Sequence, residues 1–197
     1  GDILYRGARI TGRAAHAVAA MGIARTFQTT RLFPQMTVLE NVQVGRHIRS
    51  SAGFLAGLFH PPWSWREERE IRRSAMETLE KLGLAALAGT TAGTLSFGQQ
   101  RLAEFARALA MEPNLLLLDE PAAGLNMHET AALATLLTRI REWGITILIV
   151  EHDMSLVMDI SDHIVVLNQG AKLREGRPAE IQRDPEVIRI YLGDDHA

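Results

Sequence analysis

The chain has 197 residues, of which 47% are hydrophobic and 22% charged, and a formal net charge of −2. That length supports one sizeable core with room for an attached lobe. The near-neutral balance excludes a global basic field for nucleic acid or an anionic membrane surface, and the absence of cysteine excludes disulfides and thiolate metal sites.

No apolar run approaches the roughly 18 residues that a membrane span requires. The opening GDILYRGARITG has no basic tract followed by an apolar stretch, so no secretory signal is expected. The reading is a cytoplasmic domain that meets a membrane only through a partner. No internal repeat or low-complexity segment interrupts it.

Short β-rich runs alternate with helical segments, which predicts an α/β layered domain. Ile3 to Tyr5 reads as a short strand. Thr11 is placed to cap a helix through AAHAVAA that stops at Gly22. Ile23 to Phe27 reads as the next strand, with Gln28 at its end. From Thr37 the pattern turns helical. MTVLENVQVG is one helix, and WREEREIRRSAMETLEKLG is a second, with Ile71, Met76, Leu79 and Leu82 apolar and a charged opposite face. Between them lies SSAGFLAGLFHPPWSW. Residues 37–93 are expected to form a helical lobe set into a core of residues 1–36 and 94–197.

The alternation then resumes. QQRLAEFARALAM predicts a helix, and LLLLDE predicts a fully buried strand from its continuous apolar run. ETAALATLLTRIREW predicts a helix with Leu133, Leu136, Leu137 and Ile140 on one face and Gly144 as its stop. ITILIVE reads as another buried strand and MSLVMDI as a short helix. HIVVLNQGAKLREG reads as a hairpin turning at Gln169-Gly170, and PAEIQRDPEVIRIYLG as two short helices, each opened by a proline.

Four residue groups carry candidate chemistry. Asp119 and Glu120 follow four leucines at the carboxyl end of a strand, where ligands sit in open α/β sheets. Asp119 suits Mg²⁺ as a hard oxygen donor. Glu120 suits polarisation of a water attacking a γ-phosphate. The plainer alternative is that both cap the turn containing Pro121 and Gly124. Ser96, Gly98 and Gln99 open a helix whose amides, with the serine hydroxyl, suit an anion; the alternative is an ordinary capped helix. His152, after ITILIVE, is placed to donate to a γ-phosphate, although most lone histidines do not. Gln28 has an amide oxygen suited to Mg²⁺ or to the attacking water, although most loop glutamines are simply solvated.

Jointly and in this order, these groups resemble the ATP-binding subunits of ABC transporters. The resemblance makes Gln28 the Q-loop glutamine and Leu95 to Gln99 the signature motif. It makes Asp119 and Glu120 the Walker B acids, His152 the switch histidine, and Gly124 to Asn126 the D-loop. ARTFQTTRLFPQMTVLENVQVG, LDEPAAGLNMHET, VEHDMSLVMDISDHIVVLNQG and PEVIRIYLG are similar to the ATPases of branched-chain amino acid importers. ATPases for urea or short amides share much of this pattern.

The resemblance implies a P-loop NTPase-like fold with an inserted helical subdomain, ATP with Mg²⁺ as cofactors, and ATP hydrolysis coupled to transport. It also implies a second ATPase subunit and transmembrane permease subunits as partners, and no nucleic acid. Catalysis falls to Glu120, His152 and Gln28, Mg²⁺ to Asp119 and Gln28, and signature contacts in trans to Ser96, Gly98 and Gln99. Asn126 lies at the dimer seam, where aspartate is usual, and Phe97 stands where glycine is usual. Phe33, Phe54, Leu58, Phe59, Trp63 and Trp65 are candidate permease contacts or, alternatively, the lobe's own core.

The chain has two lysines, Lys81 and Lys172, and neither lies in a Gly-x-x-x-x-Gly-Lys-[Ser/Thr] loop. Family members carry that loop upstream of the strand near Gly1. An N-terminally truncated chain, poorly active alone, is therefore expected. A non-hydrolysing module that has discarded its phosphate loop is the second reading. A cassette protein of translation or DNA repair is a third, disfavoured because no long heptad array is present.

Overall fold

The computed structural model describes residues 1–26, 31–46 and 62–192. Gln28, Phe54, Leu58 and Phe59 lie outside them, as does the Trp63 side chain. Two compact units form: residues 1–119 with 145–148, and residues 120–144 with 149–197.

The first unit opens with a hairpin of β1 (Leu4–Tyr5) and β2 (Ala8–Arg9). Arg6 and Gly7 both have positive φ at its turn, the geometry that matches strand twist in two-residue loops. This hairpin brings the Thr11 hydroxyl to the Ile3 N–H, which donates to it at 2.7 Å. The expected capping role of Thr11 is therefore corrected. Helix α1 (Ala15–Ala20) starts with Ala14 at its N-cap and no side-chain cap. It stops at Gly22 (φ +92°), as expected.

Strand β3 (Ile23–Arg25) lies parallel to β4 (Leu115–Asp119), with Arg25 opposite Leu117. The Thr26 N–H donates to the Leu117 carbonyl at 3.0 Å, one residue beyond the strand. Strand β5 (Thr146–Val150) completes the order β3-β4-β5. Full burial was expected for both apolar strands, and this needs correction. In β4 only Leu116 and Leu118 are buried, while Leu115 and Leu117 are half-buried. In β5 every second residue is exposed, Leu148 and Val150 by more than half. Strand side chains alternate between faces, so an apolar run alone does not bury both of them.

Helices α2 (Val38–Arg46), α3 (Pro62–Lys81) and α4 (Phe97–Leu109) share one apolar cluster. Val38, Val42, Ala75, Leu79, Ala103 and Ala106 are all fully buried there. The expected stripe on α3 is present: Ile71 and Leu79 are buried, and Met76 and Leu82 pack partly against the cluster. Helix α4 thus shares its core with the helices of the expected lobe.

In the second unit, α5 (Met127–Glu142) buries Leu133, Leu136, Leu137 and Ile140, the face that periodicity predicts. Helix α6 (Met154–Ile160) is capped by Asp153, whose side chain accepts from the Leu156 N–H. Strands β6 (Ile164–Asn168) and β7 (Ala171–Gly176) form the expected antiparallel hairpin. Gln169 and Gly170 take φ of +49° and +81° at its turn. Helices α7 (Pro178–Ile181) and α8 (Pro185–Val187) each begin at a proline. Ile164, Val166, Ile181 and Val187 close a second small core.

Candidate functional site

Ser96 is the N-cap of α4. Its hydroxyl accepts from the Gln99 N–H at 3.3 Å, and the Gln99 side-chain oxygen accepts from the Ser96 N–H at 3.0 Å. This reciprocal capping box fixes the helix start. Gly98 occupies the second helical position, among the amides that a helix does not pair internally. Ser96, Gly98 and Gln99, the residues expected to form the signature, therefore share one helix N-terminus, where backbone dipoles favour an anion. Phe97 is half exposed and lies beneath the Arg101 guanidinium, 5.9 Å from the ring centre.

The same helix carries a buried charged cluster that the sequence reading did not single out. Glu104 and Arg101 are both only 2% exposed. Arg101 Nη1 stands 3.6 Å from Glu104 Oε2, and Arg107 Nη2 stands 3.8 Å from Oε1. Burial pushes the Glu104 carboxyl above its ordinary range, opposed by the Arg31 N–H and the two guanidiniums. Arg107 also donates to the Arg31 carbonyl at 2.6 Å. The chain three residues past Gln28 is thereby tied to the signature helix. Asn41, fully buried, performs a similar task two residues further on. Its side-chain oxygen accepts from the Phe33 N–H at 2.8 Å, and its amide donates to the Phe33 carbonyl at 3.1 Å. A buried asparagine inside an apolar helical pattern was the available sign of this clamp.

Asp119 ends β4 in the first unit with its side chain 38% exposed. Arg25 Nη2 donates to its Oδ2 at 3.1 Å. No spacing rule singles out this partner, because 94 residues separate the two.

Glu120 begins the second unit in the left-handed region, with φ of +44°. A non-glycine residue there costs about 1–2 kcal/mol. The conformation is held by its N–H, which donates to the Val150 carbonyl at 2.9 Å at the end of β5. His152 follows two residues later, with its side chain 73% exposed. Between them, the Glu151 side chain is wholly buried. Its Oε1 accepts from the Ala122 N–H at 2.7 Å and its Oε2 from the His152 N–H at 3.1 Å. One carboxylate thus ties the turn after Glu120 to the backbone of His152. The sequence reading passed over it, although an acid directly after an apolar strand was visible.

Asn126 caps α5: its side-chain oxygen accepts from the Glu129 N–H at 3.0 Å, and the Asn126 N–H donates to the Glu129 carboxylate at 3.0 Å. Among the described residues, no group of three or more His, Asp or Glu side chains forms a metal cage. No described helix is long and apolar enough to cross a membrane.

The chain is an ATP-binding cassette: it belongs to the ABC transporter family, whose description residues 1–123 match. Residues 175–197 match the family described as branched-chain amino acid ATP-binding cassette transporter. The chain is 49% identical over 195 residues to the high-affinity branched-chain amino acid transport ATP-binding protein BraF of Pseudomonas aeruginosa, covering 98% of this chain and 76% of that protein. It is 45% identical to LivG of Escherichia coli K12, with the same coverage. Among solved structures, the ADP conformation of MJ1267, an ATP-binding cassette of an ABC transporter, superposes with a TM-score of 0.80 at 34% identity. That match covers 98% of this chain and 77% of the other. A nucleotide-free cassette gives 0.79 at 34% identity, covering 98% and 78%. The fold is that of P-loop NTPase cassettes.

Proposed function

We propose that this chain is the ATP-binding and ATP-hydrolysing subunit of an ABC importer for branched-chain amino acids. Its similarity to BraF and LivG supports the substrate class. The observation that carries the catalytic reading is Glu120, held in a strained left-handed conformation beside the end of β5. Such strain concentrates at functional sites and persists where the surroundings enforce it.

In this reading Glu120 takes a proton from the water that attacks the γ-phosphate. His152 donates a hydrogen bond to that phosphate, and Gln28 orients the water or the metal. Asp119 offers a half-exposed hard oxygen donor, which suits Mg²⁺. Magnesium supplies charge neutralisation of the phosphates when bound. Ser96, Gly98 and Gln99 serve ATP held by a second ATPase subunit, and Asn126 lies at that seam. Exposed Phe33 and Trp65 are offered to the permease subunits, which place the protein at the cytoplasmic face of the membrane. A polypeptide of these 197 residues alone carries no phosphate-loop lysine and turns over little ATP.

The test is ATP-driven uptake by proteoliposomes holding the assembled transporter and its binding protein. Leucine, isoleucine or valine accumulation, lost in Glu120→Gln, is the expected result. Uptake of urea or acetamide in their place overturns the substrate class. Unimpaired uptake by Glu120→Gln overturns the role of Glu120.

A further inference from the structure

Arg25 is the last residue of β3 and stands opposite Leu117 in the parallel register. Side chains two apart on a strand share a face, so Arg25 and Asp119 are diagonal neighbours on one face of the sheet. Ala24 and Thr26, which flank Arg25, are 1% and 2% exposed. The guanidinium is therefore delivered from a strand end held on both sides, not from a loose loop. It reaches Asp119 Oδ2 at 3.1 Å while remaining 55% exposed itself. A guanidinium does not give up its proton in a protein, so the Asp119 carboxylate has a permanent positive neighbour.

A divalent cation and a guanidinium claim the same carboxylate charge, and each opposes the other by Coulomb repulsion. We infer that Arg25 is a built-in counter-cation for Asp119: it holds the carboxylate when no metal is bound, and Mg²⁺ must displace it. Arg25 is then a positioning residue that sets the metal affinity of the site. It keeps Asp119 oriented between turnovers and makes metal occupancy depend on the nucleotide phosphates that arrive with it. This rests on the reading of Asp119 as the metal donor.

The experiment is a Mn²⁺ titration of the assembled transporter with a non-hydrolysable ATP analogue, with free Mn²⁺ followed by electron paramagnetic resonance. Asp119→Asn defines the site as the Mn²⁺ binding that this variant loses. Arg25→Gln is expected to lower the half-saturating Mn²⁺ concentration at that site about threefold, the scale of an ion pair whose partners are both partly exposed. Arg25→Lys, which keeps the charge, is expected to stay near the unsubstituted protein. If Arg25→Gln leaves Mn²⁺ affinity unchanged or weakens it while Asp119→Asn abolishes binding, the counter-cation role is overturned and the metal role of Asp119 stands. If Asp119→Asn leaves Mn²⁺ binding intact, the metal reading itself fails and the inference falls with it. Circular dichroism melts of each variant identify a folding defect separately.

Discussion

Gly45 of α2 lies against the backbone of Arg107 in α4 so closely that a β-carbon at position 45 would stand 2.0 Å from the Arg107 carbonyl oxygen. No side chain can rotate away to relieve that contact, because the obstacle is main chain. Gly45→Ala is expected to push the two helices apart and to destabilise the first unit by about 1–3 kcal/mol or more, the range for overpacked interiors. Gly83→Ala is the comparison: a β-carbon there meets nothing within 4 Å, but φ is +71°. Thermal melts in which Gly45→Ala matches the parent protein would show that the helices move apart without cost.

The Ser96–Gln99 capping box allows stability to be separated from the proposed nucleotide contact. Ser96→Ala removes the cap and costs about 1 kcal/mol. Ser96→Asp keeps a capping oxygen and suits the helix dipole, yet it places a negative charge where the γ-phosphate is proposed to sit. Urea denaturation is expected to rank Ser96→Asp above Ser96→Ala, while ATPase rates of the assembled transporter rank them in reverse. The same order in both assays would remove the signature helix from the proposed phosphate site.

Glu120 is held at φ +44°, a conformation glycine adopts freely. Glu120→Gly is expected to be more stable than Glu120→Ala by about 1 kcal/mol, since both lose the carboxylate but only alanine keeps the steric conflict. Both are expected to lose at least about a hundredfold in hydrolysis, the lower bound for removing a general base. Chemical denaturation and phosphate release measure the two effects separately.

Asp184 caps α8, accepting from the Glu186 and Val187 N–H groups, and pairs with Arg174 at 2.7 Å. The Arg174 hydrogen bond, against the cost of burial and helped by the two amides, holds its carboxyl below the usual carboxylate range. A depressed folded-state pKa means stabilisation that is complete above the unfolded-state value and is lost as pH falls through the folded one. Asp184→Asn is therefore expected to melt below the parent protein at neutral pH. The gap should close as the solution is acidified below the ordinary carboxylate range. A gap that widens on acidification would contradict the assignment.

Much of the architecture follows from local signals. The 3.6-residue spacing of Leu133, Leu136, Leu137 and Ile140 places those residues on one buried face of α5, as expected. Gly22 and Gly144 end helices, and Gln169-Gly170 turns a hairpin, because each provides the positive φ that those positions need. Ser96, Asp153 and the prolines at 178 and 185 start helices for reasons contained within a few residues. The cassette family was legible for a different reason: Leu95 to Gln99, Asp119-Glu120 and His152 occur together in one order.

Other features depended on residues far apart in the chain. Thr11 looked like a cap, but the β1–β2 hairpin brought it to the Ile3 amide instead. The runs LLLLDE and ITILIVE signalled burial, but strand side chains alternate between faces, and how well each face is covered depends on what distant parts of the chain pack there. Arg25 meets Asp119 across 94 residues only because β3 and β4 align Arg25 with Leu117. Glu151, Asn41 and Glu104 hold the backbone through partners that no short window contains. Sequence by itself determined most helices and turns, because dihedral preference and periodicity act over a few residues. Tertiary structure alone decided which charge neutralises Asp119 and which carboxylate steadies His152, because strand register and close packing bring distant side chains within reach of one another.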